Sequence, residues 1–132
     1  MGRIIETRDP QGKTNGWLMP LWNVEERPDL QPAQVYLTVV APGCSKGPHL
    51  HKIREQRYHC IKGAVIIVTR DEKTGEYSTA YLWQGDRLIV KAGTPSQLIN
   101  NSDAESWIIN MPTPAWTPGN RDEWPVDDWE LP

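Results

Sequence analysis

The sequence predicts an all-β domain. Short β-branched or alternating runs recur at spacings of roughly ten residues with turn-forming residues between them, which is typical of a β-sandwich or barrel. The chain has 132 residues, of which 12 are proline and 10 are glycine, so residues that interrupt helices are frequent. No window keeps a helical period over three turns, which argues against a helical bundle. A chain of this length fits one domain.

The expected strands follow one another from residue 34 onwards. Ahead of them lie a turn-rich loop, a short apolar piece and a charged loop broken by prolines, at 8–16, 17–23 and 25–32. Seven runs have the composition of strands: 34–41, 55–62, 64–69, 76–82, 88–90, 96–100 and 107–111. A hairpin loop is expected at 71–75, where Gly75 supplies a left-handed residue.

The end of the chain has a different character. We expect the β domain with its N-terminal strand and loop over 1–111, and a Trp- and Pro-rich acidic arm over 112–132 that packs on the domain or on a partner subunit. The arm holds Trp116, Trp124 and Trp129, whose exposure to water would be unfavourable. The other tryptophans are expected to pack in the core: Trp17, Trp22, Trp83 and Trp107. The acids of the arm are interpreted as a solvated segment: Asp122, Glu123, Asp127, Asp128 and Glu130.

Charge and hydropathy exclude several classes of function. The net charge of −3 leaves no basic excess for binding nucleic acid through its phosphates. No stretch approaches the roughly 18 apolar residues that a membrane span needs. The N-terminus lacks the apolar core of a signal peptide, so we expect a cytoplasmic protein. Cys44 and Cys60 are accordingly expected to be reduced thiols, with Cys60 packed in the core.

The informative segment surrounds two histidines. His49 and His51 are two residues apart, so on a strand both side chains point to the same face. Glu55 or Gln56 can approach them from the next strand. Lys52 and Arg54 can meet a diphosphate there, although a solvated strand end explains them equally well.

The spacing of this segment resembles the cupin superfamily. That family's first motif, Gly, His-x-His, Glu and Gly, is matched by Gly43, His49, His51, Glu55 or Gln56, and Gly63, with Gln56 at the better spacing. Its second motif is matched by Gly85, Gly93 and Asn100, while Lys91 and Ser96 stand where the family has proline and histidine. The resemblance implies a single cupin jelly-roll barrel, also called a double-stranded β-helix, and small cupins commonly form homodimers.

A narrower resemblance covers residues 34–63. Residues 49–63 are similar to the dTDP-4-keto-6-deoxyglucose 3,4-ketoisomerases. The shared pattern is His-x-His-Lys, three residues, Gln, three residues, Cys, two residues and Gly. Residues 34–49 also resemble the 3,5-epimerases. The resemblance implies that His49 and His51 are the acid–base pair, with Tyr36 as a proton relay or orienting residue, unless Tyr36 is an ordinary strand aromatic. The residues assigned to substrate binding are Lys46, Gln56, Tyr58 and Asn100, with turn formation as the alternative for Asn100.

Three functions remain open on these residues. The first is a metal-independent sugar-nucleotide isomerase or epimerase, since isomerisation next to a carbonyl needs a base and a donor and imidazole serves as both. The second is a cupin oxygenase or small-acid isomerase with one divalent metal ion on His49, His51 and either Gln56 or Glu55. The third is a cupin that binds a small molecule without catalysis. Ser96 and Gln56 in place of better ligands favour the first over the second.

Overall fold

The computed structural model describes residues 4–21, 34–113 and 122–131, and in these ranges all regular structure is β. The strands β1 to β11 are Ile5–Arg8, Thr14–Leu18, Tyr36–Val40, Ser45–Leu50, Gln56–Lys62, Ala64–Arg70, Tyr77–Trp83, Arg87–Val90, Ser96–Ile99, Ser106–Asn110 and Trp124–Pro125. The expectations for Trp22, Trp116 and the loop at 25–32 lie outside the described residues. Within them, no helix is long and apolar enough to cross a membrane.

Two antiparallel sheets form the main body. One has the order β3-β10-β5-β8 and the other the order β11-β4-β9-β6-β7, while β1 and β2 form a separate hairpin. The seven expected strands are confirmed as β3 and β5 to β10, with ends that differ by at most two residues from the sequence prediction. Because consecutive strands alternate between the sheets at several points, their inward faces enclose a common interior.

The core lies between the two sheets. Alternate residues of β6, Val65 and Ile67, are 1% and 0% exposed and face Cys60 and Ile108 of the opposite sheet within one cluster. Burying an aliphatic side chain of this kind contributes about 1.5–3 kcal/mol to folding. Cys60 is buried in this cluster, as the sequence predicted.

Two glycines make close approaches that no other residue permits. Gly63 joins β5 to β6 with a φ of 72°, and a Cβ there would lie 2.7 Å from the carbonyl oxygen of Glu105. Gly47 within β4 has a φ of 93°, and its Cβ would lie 2.9 Å from the carbonyl oxygen of Ser96. Gly47 therefore lets β4 lie close to β9 just before the histidine pair.

The N-terminal part differs from its sequence prediction. Residues 8–16 were expected to form a loop, whereas β1 and β2 pair from Ile5–Leu18 to Arg8–Thr14. Every residue of β2 is exposed, so this hairpin lacks the hydrophobic alternation by which strands are recognised. The prediction that Trp17 and Trp83 pack in the core was wrong as well, since these residues are 47% and 66% exposed.

The described part of the arm lies against the barrel. Strand β11 pairs with the end of β4, with Trp124 opposite Leu50 and Pro125 opposite His49. The interpretation of this region as a solvated acidic segment is corrected for Asp122, which is half-buried and binds the loop after β4. Glu123 and Asp128 remain exposed, as expected, but their carboxylates also contact His49 and Arg70 of the barrel. The arm therefore contributes to the structure around the histidines.

Candidate active site

A cavity of about 650 Å³ opens between the sheets at the histidine pair. This volume is in the range of small-molecule sites. Its lining residues are Gln34, Tyr36, Thr38, Lys46, Gly47, His49, His51, Arg54, Gln56, Tyr58, Ser96, Leu98, Asn110 and Glu123. Six of the seven predicted site residues are among them. The exception is Asn100, whose amide donates to the carbonyl oxygens of Val40 and Ala104 and accepts from Ser102, so it is a turn-forming residue rather than a ligand-binding one.

Strand alternation places the predicted residues as the sequence suggested. His49 and His51, two residues apart, both line the cavity. On β5, Gln56 and Tyr58 face the cavity and are 1% and 5% exposed. Of the two alternatives that the sequence left open, Gln56 and not Glu55 therefore lines the cavity.

A hydrogen-bonded chain of side chains crosses the base of the cavity. The Asn110 amide donates to the Tyr36 hydroxyl at 2.7 Å and to Gln56 Oε1 at 2.5 Å. The Gln56 amide nitrogen in turn lies 3.3 Å from His51 Nδ1. Since that amide can only donate, Nδ1 is the acceptor and neutral His51 carries its proton on Nε2. The sequence analysis did not identify Asn110. Its position two residues after buried Ile108 on an apolar strand predicts that it points to the same inward face.

Burial and charge keep both ends of this chain neutral. Desolvation, and after it the positive charge of Arg54, lower the pKa of His51 from 6.5 to about 4, while Glu123 and Asp122 oppose the shift. Burial raises the pKa of the Tyr36 hydroxyl above its ordinary value, and Arg54 acts against this. At neutral pH, His51 is therefore an uncharged imidazole and Tyr36 a protonated phenol.

The other histidine has a different partner, supplied by the arm. His49 Nδ1 lies 3.1 Å from the Glu123 carboxylate, with both side chains about two-fifths exposed. The pairing of Pro125 with His49 in β11 and β4 brings Glu123 to this place. A carboxylate accepts a hydrogen bond from Nδ1–H, which leaves Nε2 of neutral His49 as the basic nitrogen. No local pattern in the sequence signals a pairing across more than seventy residues.

The neighbouring arm residue fixes the loop that follows β4. The Asp122 carboxylate accepts hydrogen bonds from the backbone N–H groups of Lys52, Ile53 and Arg54 at 2.9, 2.9 and 2.7 Å. Burial disfavours ionisation of Asp122, but these three bonds outweigh it and lower its pKa. Lys52 then stacks over Trp124, 3.9 Å from the ring centre. Charge-assisted hydrogen bonds thereby connect this three-residue loop to the arm.

The polar side chains around the histidine pair are bonded to one another. The Gln56 oxygen accepts from Asn110 and its amide faces His51, while Glu123 engages Nδ1 of His49. Ser96 pairs with His49 across the strands where the family's third histidine would stand. Across the three described ranges, no group of three or more His, Cys, Asp or Glu side chains is arranged to hold a metal.

Comparison with known proteins shows similarity at the level of structure. No protein-family model matches the sequence, and no curated protein sequence matches it. The dTDP sugar isomerase from Desulfovibrio desulfuricans G20 superposes with a TM-score of 0.78 at 13% identity, over 95% of this chain and 81% of that one. ChmJ, a 3′-monoepimerase from Streptomyces bikiniensis solved with dTDP-quinovose, gives 0.76 at 16% identity, over 97% and 68%.

A third solved structure is similar over a smaller part of a longer protein. The capsular polysaccharide assembling protein CapF from Staphylococcus aureus gives a TM-score of 0.67 at 20% identity. The match covers 74% of this chain and 29% of that one, so the present chain corresponds to under a third of it. These likenesses confirm the predicted cupin jelly-roll fold.

Proposed function

We propose that this protein is a metal-independent isomerase or epimerase of a keto-deoxy sugar linked to a nucleotide. The observation that carries the proposal is the pair of histidines in one cavity whose Nδ1 atoms have partners of opposite kind, Glu123 for His49 and Gln56 for His51. The first pairing leaves a basic nitrogen and the second leaves an N–H donor. Proton transfer next to a carbonyl needs one of each.

In the proposed reaction His49 is the base. Its Nε2 accepts the proton from the carbon next to the carbonyl, and the C–H electron pair forms a C=C bond while the carbonyl π pair moves onto oxygen. Glu123 stabilises the imidazolium that forms, as a carboxylate does when it lies beside a protonated ring. General-base catalysis of this kind contributes about 10²–10⁴-fold to a rate.

His51 acts on the oxygen in this scheme. Its neutral ring, held by Gln56, donates Nε2–H to the oxygen where negative charge develops. When the deprotonated carbon carries a hydroxyl group, isomerisation can follow. His49 returns its proton to the former carbonyl carbon, and the hydroxyl proton moves to the former carbonyl oxygen. Return of a proton to the original carbon from the opposite face gives epimerisation, and the Tyr36 hydroxyl is the candidate donor.

Binding of the nucleotide part is assigned to the rim. Lys46 lines the cavity and is exposed, so its ammonium can meet a diphosphate without the cost of desolvating a buried charge. The similarity to a dTDP sugar isomerase and to an epimerase solved with a dTDP sugar supports this class of substrate. We accordingly propose a small-molecule substrate and no bound metal.

Hydrogen exchange in deuterated water tests the reaction directly. Incubation with dTDP-4-keto-6-deoxyglucose should replace hydrogen by deuterium next to the carbonyl, seen as loss of ¹H NMR signal at C3 or C5. Because each histidine has a separate task, His49→Ala and His51→Ala should each lower the exchange rate by about 100-fold or more. Lys73→Ala, in the exposed 71–75 loop, is the control and should exchange like the parent protein.

Two results would count against the proposal. Folded protein that neither exchanges hydrogen nor is stabilised against heat by the nucleotide sugar is not such an enzyme. Loss of exchange after dialysis against a chelator, with recovery on adding a divalent metal, would contradict metal independence.

A further inference from the structure

Arg54 is a buried cation in the cavity wall, and within the described ranges two of its three guanidinium nitrogens have no hydrogen-bond partner. Its side chain lines the cavity and the residue is 3% exposed. Neither Nε nor Nη1 of the guanidinium has a hydrogen-bond partner, and the group forms no ion pair with an acid in the described ranges. A buried charge is strongly unfavourable unless it is paired and hydrogen-bonded. Of the two interpretations that the sequence allowed for Arg54, the solvated strand end is therefore wrong.

The nearby acids are engaged elsewhere. Asp122 accepts from the backbone N–H of Arg54 and its two predecessors, and Glu123 faces His49. The same Asp122 contacts fix the loop and so hold the Arg54 backbone in place. A buried guanidinium with two open N–H donors on a backbone held by Asp122 is preorganised to receive an anion from outside the protein.

The position of Arg54 along the chain separates it from the other cation of the cavity. Lys46 lies near the start of β4, His49 and His51 follow, and Arg54 comes after the strand has ended. At about 3.3 Å per strand residue, Lys46 and His51 are on the order of 15 Å apart along the backbone, before the irregularity in β4 shortens this. Along the chain, one of the two cavity cations therefore precedes the histidine pair and the other follows it.

We propose that Arg54 binds a carboxylate carried by the sugar itself, so that the substrate is a nucleotide-linked keto-deoxy sugar acid, of which the neutral keto-deoxy sugars are analogues. This deepens the proposed function and rests on it for the nucleotide. The diphosphate lies towards Lys46, the reacting carbons lie beside the histidines, and the carboxylate lies beyond them. A planar guanidinium can hold a carboxylate through two parallel N–H···O bonds, and Lys46 is already assigned to the diphosphate.

Electrostatics at His51 is consistent with this arrangement. The groups that act on the His51 ring are Arg54 and His49, which disfavour its protonation, and Glu123 and Asp122, which favour it. A carboxylate bound to Arg54 would cancel the larger of the two cationic effects. The pKa of His51 would then rise on binding, which makes the ring a better proton shuttle when the acid substrate is present.

A matched pair of ligands tests the assignment. dTDP-glucose and dTDP-glucuronate share nucleotide, diphosphate and ring, and differ only in the carboxylate at C6. By isothermal titration calorimetry, wild-type protein should bind the glucuronate at least about tenfold more tightly, as expected for a charge-assisted hydrogen bond. Arg54→Gln should abolish this preference and Arg54→Lys should retain part of it. Lys46→Gln should weaken both ligands equally.

Other outcomes overturn the assignment. Equal affinity of the two ligands for wild-type protein, binding of neither, or equal weakening of both by Arg54→Gln would show that Arg54 does not hold a sugar carboxylate. The last result would place Arg54 on the diphosphate instead. Melting temperatures establish that the variants are folded, and removal of an unpaired buried charge should not lower them.

The test also separates this inference from the proposed function. A preserved preference for the glucuronate without any hydrogen exchange would refute the isomerase and leave the carboxylate site standing. Hydrogen exchange of neutral keto sugars without tighter binding of dTDP-glucuronate would support the isomerase and refute the carboxylate site.

Discussion

At the scale of single residues, the two histidines differ through their neighbours. A neutral imidazole carries one ring proton, and the atom that carries it depends on what faces Nδ1. A carboxylate faces Nδ1 of His49 and accepts its proton, whereas an amide N–H faces Nδ1 of His51 and donates to it. Glu123 and Gln56 therefore give two identical side chains opposite chemical properties.

Removing the Glu123 carboxylate should impair the base without unfolding the protein. Glu123→Ala should lower kcat for hydrogen exchange by about 10- to 100-fold with a smaller change in KM, because His49 loses both its orientation and the charge that stabilises its imidazolium. Glu123→Gln keeps an acceptor oxygen and should recover part of the rate. Asp127→Ala, another exposed acid of the arm, is the matched control. Equal rates for Glu123→Ala and Asp127→Ala would exclude a role for the ion pair.

At the scale of elements, the described part of the arm, residues 122–131, contacts the barrel near both of its ends. Next to the cavity, β11 pairs with β4 and Asp122 binds the loop that follows it. Farther along, Trp129 meets the Tyr77 ring edge-on at 5.0 Å and donates from Nε1 to Gln97 at 3.0 Å. Contacts at one end of the arm therefore influence where the other end places its acids.

Loss of the Trp129 indole should loosen the arm and reduce activity at a distance. Trp129→Ala removes the ring contact with Tyr77 and the bond to Gln97, so amide hydrogen exchange should quicken in 122–131 and in β4 but not in β6. Activity should fall about as far as in Glu123→Ala, since the loosened arm presents Glu123 less often. Trp83→Ala, which removes an indole that is 66% exposed, should change neither. Unchanged protection of residues 122–131 would show that Trp129 does not fasten the arm.

At the scale of the molecule, local patterns predicted the barrel and half of the site. β-branched runs and turn glycines are short-range signals, so β6, β7 and the histidine face could be predicted from sequence. The hairpin of β1 and β2 could not, because its exposed strands lack alternation. Glu123 was interpreted as solvated, and Arg54 was left between a diphosphate contact and a solvated strand end. Their surroundings depend on pairing between distant segments, β11 with β4 and Asp122 with the loop. Charged residues near a motif are thus assigned reliably only once the fold is known.

The stability of the whole molecule should depend on pH in a way that follows from this site. The pKa of His51 is about 4 in the folded chain against 6.5 for an ordinary histidine, so between these values the unfolded chain binds a proton that the folded chain does not. The free energy of unfolding should therefore rise with pH from 4 to 6.5 and level off above it. The lowered pKa of Asp122 adds a loss of stability only below its ordinary value of 3.8.

Melting temperatures measured from pH 4 to 7.5 by calorimetry test this argument, with variants to isolate His51 from other titrating groups. His51→Gln cannot titrate, so its melting temperature should rise less than that of the wild type between pH 4 and 6.5. Arg54→Gln removes the second cause of the low pKa and leaves desolvation, so its dependence should be intermediate. Lys73→Ala should follow the wild type. If His51→Gln and the wild type keep the same dependence on pH, His51 is not held neutral in the folded protein, and its assignment as a neutral donor fails with it.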